Sequence, residues 1–346
     1  MNLNGDTLDL WLKKQATDNF PRNGKINYIT QYDKIKEYLD NNIHPHVVPI
    51  ANLKDSGYLT DHGIEHIKMV IKRASQLLDK SDFSLSPFEI YLLLVSIQLH
   101  DVGHIVAGRK GHEKNSKEVM DDMGLVLSDD NTEKAYIYKI AEAHGGEKQG
   151  DKDKISKLES QVHLFDEKVG KQLLAALLRF SDELAEDESR AARYLLQNGR
   201  IPNVSQVYHA YAKSLYSLIV DRQGREISLS FNINYKNAKI KLGKGRKKVY
   251  LIDEIFERTL KTFCECIYCM RFFPTELSIK GIKIKITFYD DNSEQLREPI
   301  VCKLEECGYP DFCSKKIYNY CHNDLLIGRK RITGELISNQ IKKKRK

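Results

Sequence analysis

The chain has 346 residues, 41% of them hydrophobic and 30% charged, with a net charge of +7. This length accommodates one large domain with an appendage, and the composition is that of an ordinary soluble protein. The longest strongly apolar run, Ile90 to Leu99, is about half of the roughly 20 residues that a membrane-spanning helix needs. Since no secretion signal is visible either, we expect no membrane association and a cytoplasmic location.

The cysteines support a reducing environment, because all seven lie at or beyond Cys264 and their number is odd. Cys266 and Cys269 have a Cys-x-x-Cys spacing, but no second pair follows. The residues that could complete a zinc site are irregularly spaced: Cys302, Cys307, Cys313, Cys321 and His322. We therefore favour buried, apolar cysteines over a structural zinc site.

Periodic apolar positions predict helices through the first ~210 residues. Ser86-Pro87-Phe88-Glu89 predicts a capped helix start, and Gly103 a helix end. The predicted helices cover Asp61–Leu78, Ile90–His100, Glu113–Met123, Thr132–His144, Glu167–Glu186 and Ser189–Gln197. Between them, residues 145–160 form a polar, charged loop, for which a mobile lid and simple disorder are both open interpretations.

The pattern changes near residue 214. Leu215–Val220 and Glu226–Ile233 flank a turn that contains glycine, which predicts a β-hairpin. Leu251–Met270 is again helical in pattern, and Leu277–Phe288 alternates like a strand. The fold class that we expect is therefore mainly α, a helical bundle followed by a smaller α+β extension.

Ligand-type side chains recur on the apolar faces of the predicted helices. His66 precedes Val70 and Ala74 at helical spacing. Asp182 follows Leu178 in the same way. The other side chains of this kind are His62, His100, Asp101, His112 and His144.

One histidine on an apolar face is usually a hydrogen-bonded core residue. A buried carboxylate without a partner is costly, however, so Asp182 in its apolar stripe requires a cation. A shared metal centre explains all these faces together. The adjacent pair His100-Asp101 supplies one nitrogen and one oxygen ligand, a set suited to Mn, Fe, Zn or Mg.

The order of these residues resembles the HD superfamily of metal-dependent phosphohydrolases. The matching stretches are Asp61–Val70, Leu99–His104, Gly111–Glu113, Glu142–His144 and Arg179–Leu184. The Asp-His-Gly-x-x-His start and the Ser-Asp-Glu-Leu-Ala-Glu-Asp block are most similar to the extended HD domains of bacterial conflict and signalling systems. The resemblance implies an N-terminal helical segment (1–57), a helical HD-domain bundle (58–200) and an α+β extension with a basic tail (201–346).

The resemblance also implies a ligand set. The residues that match the first metal site are His66, His100, Asp101 and Asp182, and those that match the extra histidines of two-metal members are His112 and His144. By the same analogy Asp101 bridges the two ions. His62 either replaces His66 as a ligand or orients it through a hydrogen bond, and the spacing to Val70 favours His66. One or two divalent ions are expected, with Mn, Fe, Zn, Co, Ni and Mg all open.

Basic residues near these ligands are candidates for phosphate binding. Arg109 and Lys110 follow the His-Asp pair, and Arg179 and Arg190 flank Asp182. Each could instead lie in a solvated loop or a local ion pair. We expect Asp101 and His104 to take part in catalysis and the four basic side chains to contact phosphate oxygens.

Taken together, these features predict a phosphatase or phosphodiesterase that acts on a nucleotide or nucleotide-derived signal by metal-activated water. Departures from the family limit the substrate: His144 is not followed by the Gly-Tyr-Pro of the cyclic-di-GMP-specific subgroup, and Ile105–Lys110 departs from the deoxynucleotide triphosphohydrolases. The alternatives are an HD nuclease on single-stranded nucleic acid, a non-catalytic ligand-sensing HD module and, more remotely, a di-iron oxygenase. The basic tracts at 239–248 and 342–346 make nucleic acid a candidate partner. Homo-oligomerisation is also open.

Overall fold

The structure of the protein is a computed structural model, which describes residues 1–22, 25–54, 60, 62–147, 150–305, 326–327 and 329–331. The chain forms two compact units, Met1–Glu305 and Glu306–Lys346. The division predicted after residue 200 falls within the first unit, whose described residues beyond 200 pack with the helices that precede them. In the second unit, Leu326–Ile327 pairs antiparallel with Lys330–Arg331.

The first two thirds of the larger unit are mainly helical, as predicted. The helices are α1 (Leu8–Lys13), α2 (Tyr28–Asn42), α3 (His44–Lys54), α4 (Ile64–Leu78), α5 (Pro87–Leu99), α6 (His104–Ala107), α7 (His112–Met123), α8 (Asn131–Glu142), α9 (Lys171–Leu184), α10 (Arg193–Gln197) and α11 (Gln206–Ser214). A short hairpin, β1 (Val162–Leu164) and β2 (Glu167–Val169), precedes α9. The prediction of a helix from residue 167 is therefore wrong for its first turn, and the helix predicted from residue 189 begins only at residue 193.

Helix α5 is the centre of the bundle. Ser86 accepts a hydrogen bond from the Glu89 amide while the Glu89 carboxylate accepts one from the Ser86 amide, so the predicted capping box is present. Almost every side chain of α5 is buried, which holds its C-terminal end and the residues after it in the interior. The segment Pro87–Ala107 is long and apolar enough to cross a membrane, but 83% of its apolar window is buried inside the protein. That burial is typical of the core helix of a soluble domain.

The extension adds a sheet and a long helix. Its elements are β3 (Leu215–Asp221), β4 (Glu226–Asn234), α12 (Tyr235–Lys239), β5 (Lys241–Lys244), β6 (Lys247–Tyr250), α13 (Leu251–Met270), β7 (Gly281–Tyr289) and β8 (Ile300–Glu305). The larger sheet has the order β3-β4-β7-β8, with only β4 and β7 parallel, and β5 pairs with β6. The predicted hairpin and the bounds of α13 are confirmed, but the predicted strand at 277 begins at Gly281 because Thr275–Leu277 form a 3-10 turn.

Among the cysteines that the structure describes, the expectation of buried, apolar residues is met by two and contradicted by two. Cys266 and Cys269 are buried on α13, whereas Cys264 and Cys302 are exposed. Within the described part of the chain, the clusters that could hold a metal contain histidine and aspartate only. The predicted contributions of Cys307, Cys313, Cys321, His322 and the basic tail at 342–346 lie outside the described residues.

Candidate metal centre

Six elements bring the ligand-type side chains to one point. Helix α4 carries His66, the end of α5 carries His100 and Asp101, α6 carries His104, and α9 carries Asp182. His112 begins α7, and His144 lies two residues after α8. Asp101 is at the centre, since its two carboxylate oxygens face two different sets of nitrogen atoms.

The first set surrounds Asp101 Oδ2. The Nε2 atom of His66 lies 3.4 Å from this oxygen and 3.1 Å from Asp182 Oδ1. His100 Nε2 lies 3.3 Å and 3.6 Å from the same two oxygens. Two ligands that share one ion at about 2.0–2.2 Å are themselves about 3.0–3.5 Å apart, so the four residues fit one metal.

The nitrogen atoms of the first set also lack other partners. His66 and His100 are fully buried, and neither Nε2 has a hydrogen-bond partner among the described residues. His100 Nδ1 lies 2.7 Å from the carbonyl oxygen of Ile97, which assigns it the proton and leaves the lone pair of Nε2 directed at the carboxylates. Buried imidazoles that face two carboxylates require a cation between them. Without a metal ion that cation is a proton, since Asp101 and Asp182 overcome the effect of burial and raise the pKa of His100 well above its usual value.

The second set surrounds the other oxygen of the same carboxylate. His112 Nε2 lies 3.3 Å from Asp101 Oδ1, and His144 Nε2 lies 3.8 Å from it. The two Nε2 atoms are 3.1 Å apart. Their Nδ1 atoms lie 3.0 Å and 2.6 Å from the carbonyl oxygens of Arg109 and Ala141, respectively. Because both Nδ1 protons are used in this way, two Nε2 lone pairs converge beside a carboxylate, as in a second metal site.

His62 and His104 approach Asp101 from a third side. His62 Nδ1 lies 2.8 Å from Asp101 Oδ2, and Arg190 Nη2 lies 3.3 Å from His62 Nε2. His104 Nε2 lies 3.6 Å from Asp101 Oδ1, and its ring stacks on His112 with the centroids 4.1 Å apart. His62, Asp101 and His104 could themselves hold an ion. The expected role of His62, ligand or orienting partner, therefore stays a prediction.

Burial and charge place the two carboxylates and His144 in the protonation states that metal binding requires. Burial opposes ionisation of Asp101, but the neighbouring imidazoles of His100, His62 and His104 together outweigh it and hold the pKa of that carboxyl well below its usual range. For Asp182, the nearby imidazoles of His100 and His66 together outweigh burial in the same way and lower its pKa. Burial and the neighbouring imidazoles lower the pKa of His144 to about 3. At neutral pH the site thus offers charged carboxylates and a neutral His144, the forms that bind metals.

The centre opens into two adjoining cavities. The smaller, of about 400 Å³, is lined by Asp101, by His104 and by the second set. The larger, of about 530 Å³, lies against α11 and α13. The residues that line both are His62, Arg109, Asp182, Glu183 and Lys261.

The structure places the four predicted phosphate-binding residues differently. Arg109 lines both cavities, and Lys110 is exposed and lines neither. Arg179 lines the smaller cavity, where its Nε lies 2.7 Å from Glu265 Oε2. Arg190 lines the larger cavity and pairs with Glu186 at 3.1 Å. Arg109 is therefore the best placed of the four to reach a phosphate.

The sequence pattern did not predict that the extension forms one wall of the two cavities. Helix α13 directs a charged stripe, Glu254, Arg258, Lys261 and Glu265, toward the cavities. Tyr208 and Tyr211 of α11 complete this wall. The signal was available, because these four charged residues recur at i, i+4, i+7 and i+11, but such a stripe is usually a solvated face.

One family model, HD-CE, matches residues 56–261, about three fifths of the chain. The protein belongs to the HD-CE family. The match includes all the candidate ligands, together with α11 and the first half of α13, so it also covers Glu254, Arg258 and Lys261 of the cavity wall. No significant match to a curated protein or to a solved structure was found. For this HD-CE protein, the match and the buried His/Asp cluster agree on an HD-type metal-dependent hydrolase.

Proposed function

We propose that this HD-CE protein is a phosphatase or phosphodiesterase that acts on a nucleotide or a nucleotide-derived signal. The observation that carries the proposal is the position of Asp101, whose Oδ2 faces the first set of ligands while its Oδ1 faces the second. Bound divalent cations, with manganese the first to try, supply Lewis acidity that lowers the pKa of water and neutralises phosphate charge.

Two side chains beside the ligands have separate roles in this scheme. His104 is almost fully buried and lines the smaller cavity, where it is placed to hold or move a proton at Nε2. Arg109 lies where the two cavities meet, and its guanidinium is suited to gripping phosphate oxygens. The smaller cavity is therefore the place we assign to the reacting phosphate.

The larger cavity suits the uncharged, polar part of the substrate. Its charged lining is balanced: Asp182, Glu183, Glu186, Glu254 and Glu257 face Arg109, Arg190, Lys244, Arg258 and Lys261. Several of these groups already pair with one another, such as Lys261 with Glu183 at 2.6 Å. A cavity with this balanced lining does not favour a negatively charged group. It offers many hydrogen-bonding atoms, which a sugar or a base requires.

The test is a phosphate-release screen of the metal-loaded protein against nucleotides, cyclic dinucleotides and bis(p-nitrophenyl) phosphate with Mn, Co, Ni or Mg. We expect turnover of at least one substrate, lost in Asp101→Ala. Asp121→Ala is the matched control, because Asp121 is an exposed residue of α7. Ligand binding without turnover would favour the sensing module over the hydrolase.

A nuclease is the second candidate, and the β5–β6 hairpin favours it. Lys241, Lys247 and Lys248 of this hairpin are exposed, and Lys244 lines the larger cavity. A basic hairpin beside the cleft could guide a single strand to the metal centre. Cleavage of oligonucleotides with a steep salt dependence would identify this activity, and mononucleotide turnover alone would exclude it.

A further inference from the structure

A buried lysine joins the two helices next to the second set of ligands. Lys154 and Glu113 are both more than nine-tenths buried. Lys154 Nζ lies 3.4 Å from Glu113 Oε1 and donates a hydrogen bond of 3.2 Å to the carbonyl oxygen of Glu142. Burying an ammonium group costs free energy. The contacts with Glu113 and with the Glu142 carbonyl offset that cost and keep Lys154 in the interior.

Both partners are adjacent to a histidine of the second set. Glu113 directly follows His112 in α7, and Glu142 ends α8 two residues before His144. Glu113 also packs against the turn that follows His144: a Cβ at Gly146 would lie 2.0 Å from Glu113 Oε1, and Gly146 has φ +72°. Lys154 therefore fixes the distance between the two chain segments that present the second pair of histidines.

The extension holds Lys154 from the opposite side. The Tyr268 hydroxyl of α13 donates to Asp153 Oδ1 at 2.9 Å and accepts from the Ile155 amide at 3.1 Å. Arg179, held by Glu265 of α13, donates to the carbonyl oxygen of Lys152 at 3.1 Å. The residues on each side of Lys154 are thus anchored to α13 directly or through one side chain.

We propose that Lys154 is a positioning residue for the second metal subsite and that α13 of the extension is the support that holds it there. The proposal rests on the two-metal centre of the proposed function. It assigns the extension a role in assembling that centre: α13 fixes the 152–155 segment, Lys154 joins α7 to α8, and His112 and His144 are held 3.1 Å apart. The first set depends on α4, α5 and α9 instead.

The test is manganese binding to Lys154→Met, measured by calorimetric titration and by elemental analysis of the full-length protein. We expect two ions in the wild type. In the variant we expect one ion to bind normally and the other about 10–100-fold more weakly, the usual effect of removing a group that orients metal ligands. Lys157→Met is the matched control, since Lys157 forms an exposed pair with Asp151 in the same loop.

A second variant keeps the test decisive if Lys154→Met does not fold. Tyr268→Phe removes only the hydroxyl that holds the 153–155 segment and should weaken the same ion selectively. Two ions bound with wild-type affinity in either folded variant would overturn the proposal, as would a wild type that binds one ion. Two ions without turnover would contradict the hydrolase but leave this assignment intact.

Discussion

Replacing Gly103 by alanine tests how closely α7 must approach the metal centre. A Cβ at this position would lie 2.0 Å from the carbonyl oxygen of His112 and 2.6 Å from the amide nitrogen of Ser116. Both atoms belong to the backbone, so no side chain can rotate away. The N-terminal turn of α7 would have to retreat by about 1.4 Å to restore an ordinary contact of 3.4 Å.

That displacement predicts two measurable effects. Overpacking a core usually costs about 1–3 kcal/mol, so we expect a fall of that size in the free energy of unfolding in urea. A shift of this size at His112 also exceeds the roughly ±0.2 Å tolerance of metal–ligand distances, so manganese should be lost from the second subsite. Gly145→Ala is the control, because its Cβ would meet nothing within 4 Å. Unchanged stability and two-ion binding in Gly103→Ala would refute this account of α7.

Three further predictions concern charge and metal. Chelation should lower the thermal unfolding midpoint and manganese should restore it, because an ion present at a thousandfold its Kd stabilises the folded state by about 4 kcal/mol; equal midpoints would argue against a bound metal. Arg109→Ala should reduce kcat/KM for a phosphate ester about tenfold or more, while exposed Arg200→Ala should not. Burial raises the pKa of Glu133. As the pH falls, this carboxylate therefore binds a proton at a higher pH in the folded protein than in the unfolded chain. The free energy of unfolding of the wild type should therefore rise relative to Glu133→Gln as the pH falls through the raised pKa toward 4.5, the ordinary value, and a constant difference would contradict this.

Much of the candidate ligand set could be predicted because its residues lie on apolar helix faces or directly after them. The spacing from His66 to Val70 favoured His66 over His62, and the structure places His66 beside Asp182. The bounds of α13 were predictable for the same reason, since its apolar period is regular. The spacing of apolar residues along the chain predicts which face of a helix is buried and where the helix ends, without knowledge of the tertiary contacts.

Other features depend on contacts that no local pattern encodes. The helix predicted to stop near Gly103 does end, at Leu99, but Gly103 has helical φ and ψ values and admits the backbone of α7. The strand Glu167–Val169 is three residues long, too short for its alternation to be distinguished from a helix turn. The charged stripe of α13 is a cavity wall only because α9 and α11 pack beside it.

The central claim is that Asp101 is shared by two metal subsites. The most direct measurement is anomalous diffraction from crystals of the protein grown with manganese. The account predicts two manganese peaks, one beside Asp101 Oδ2 with His66, His100 and Asp182, and one beside Oδ1 with His112 and His144. A single peak, or none at these residues at saturating manganese, would contradict it.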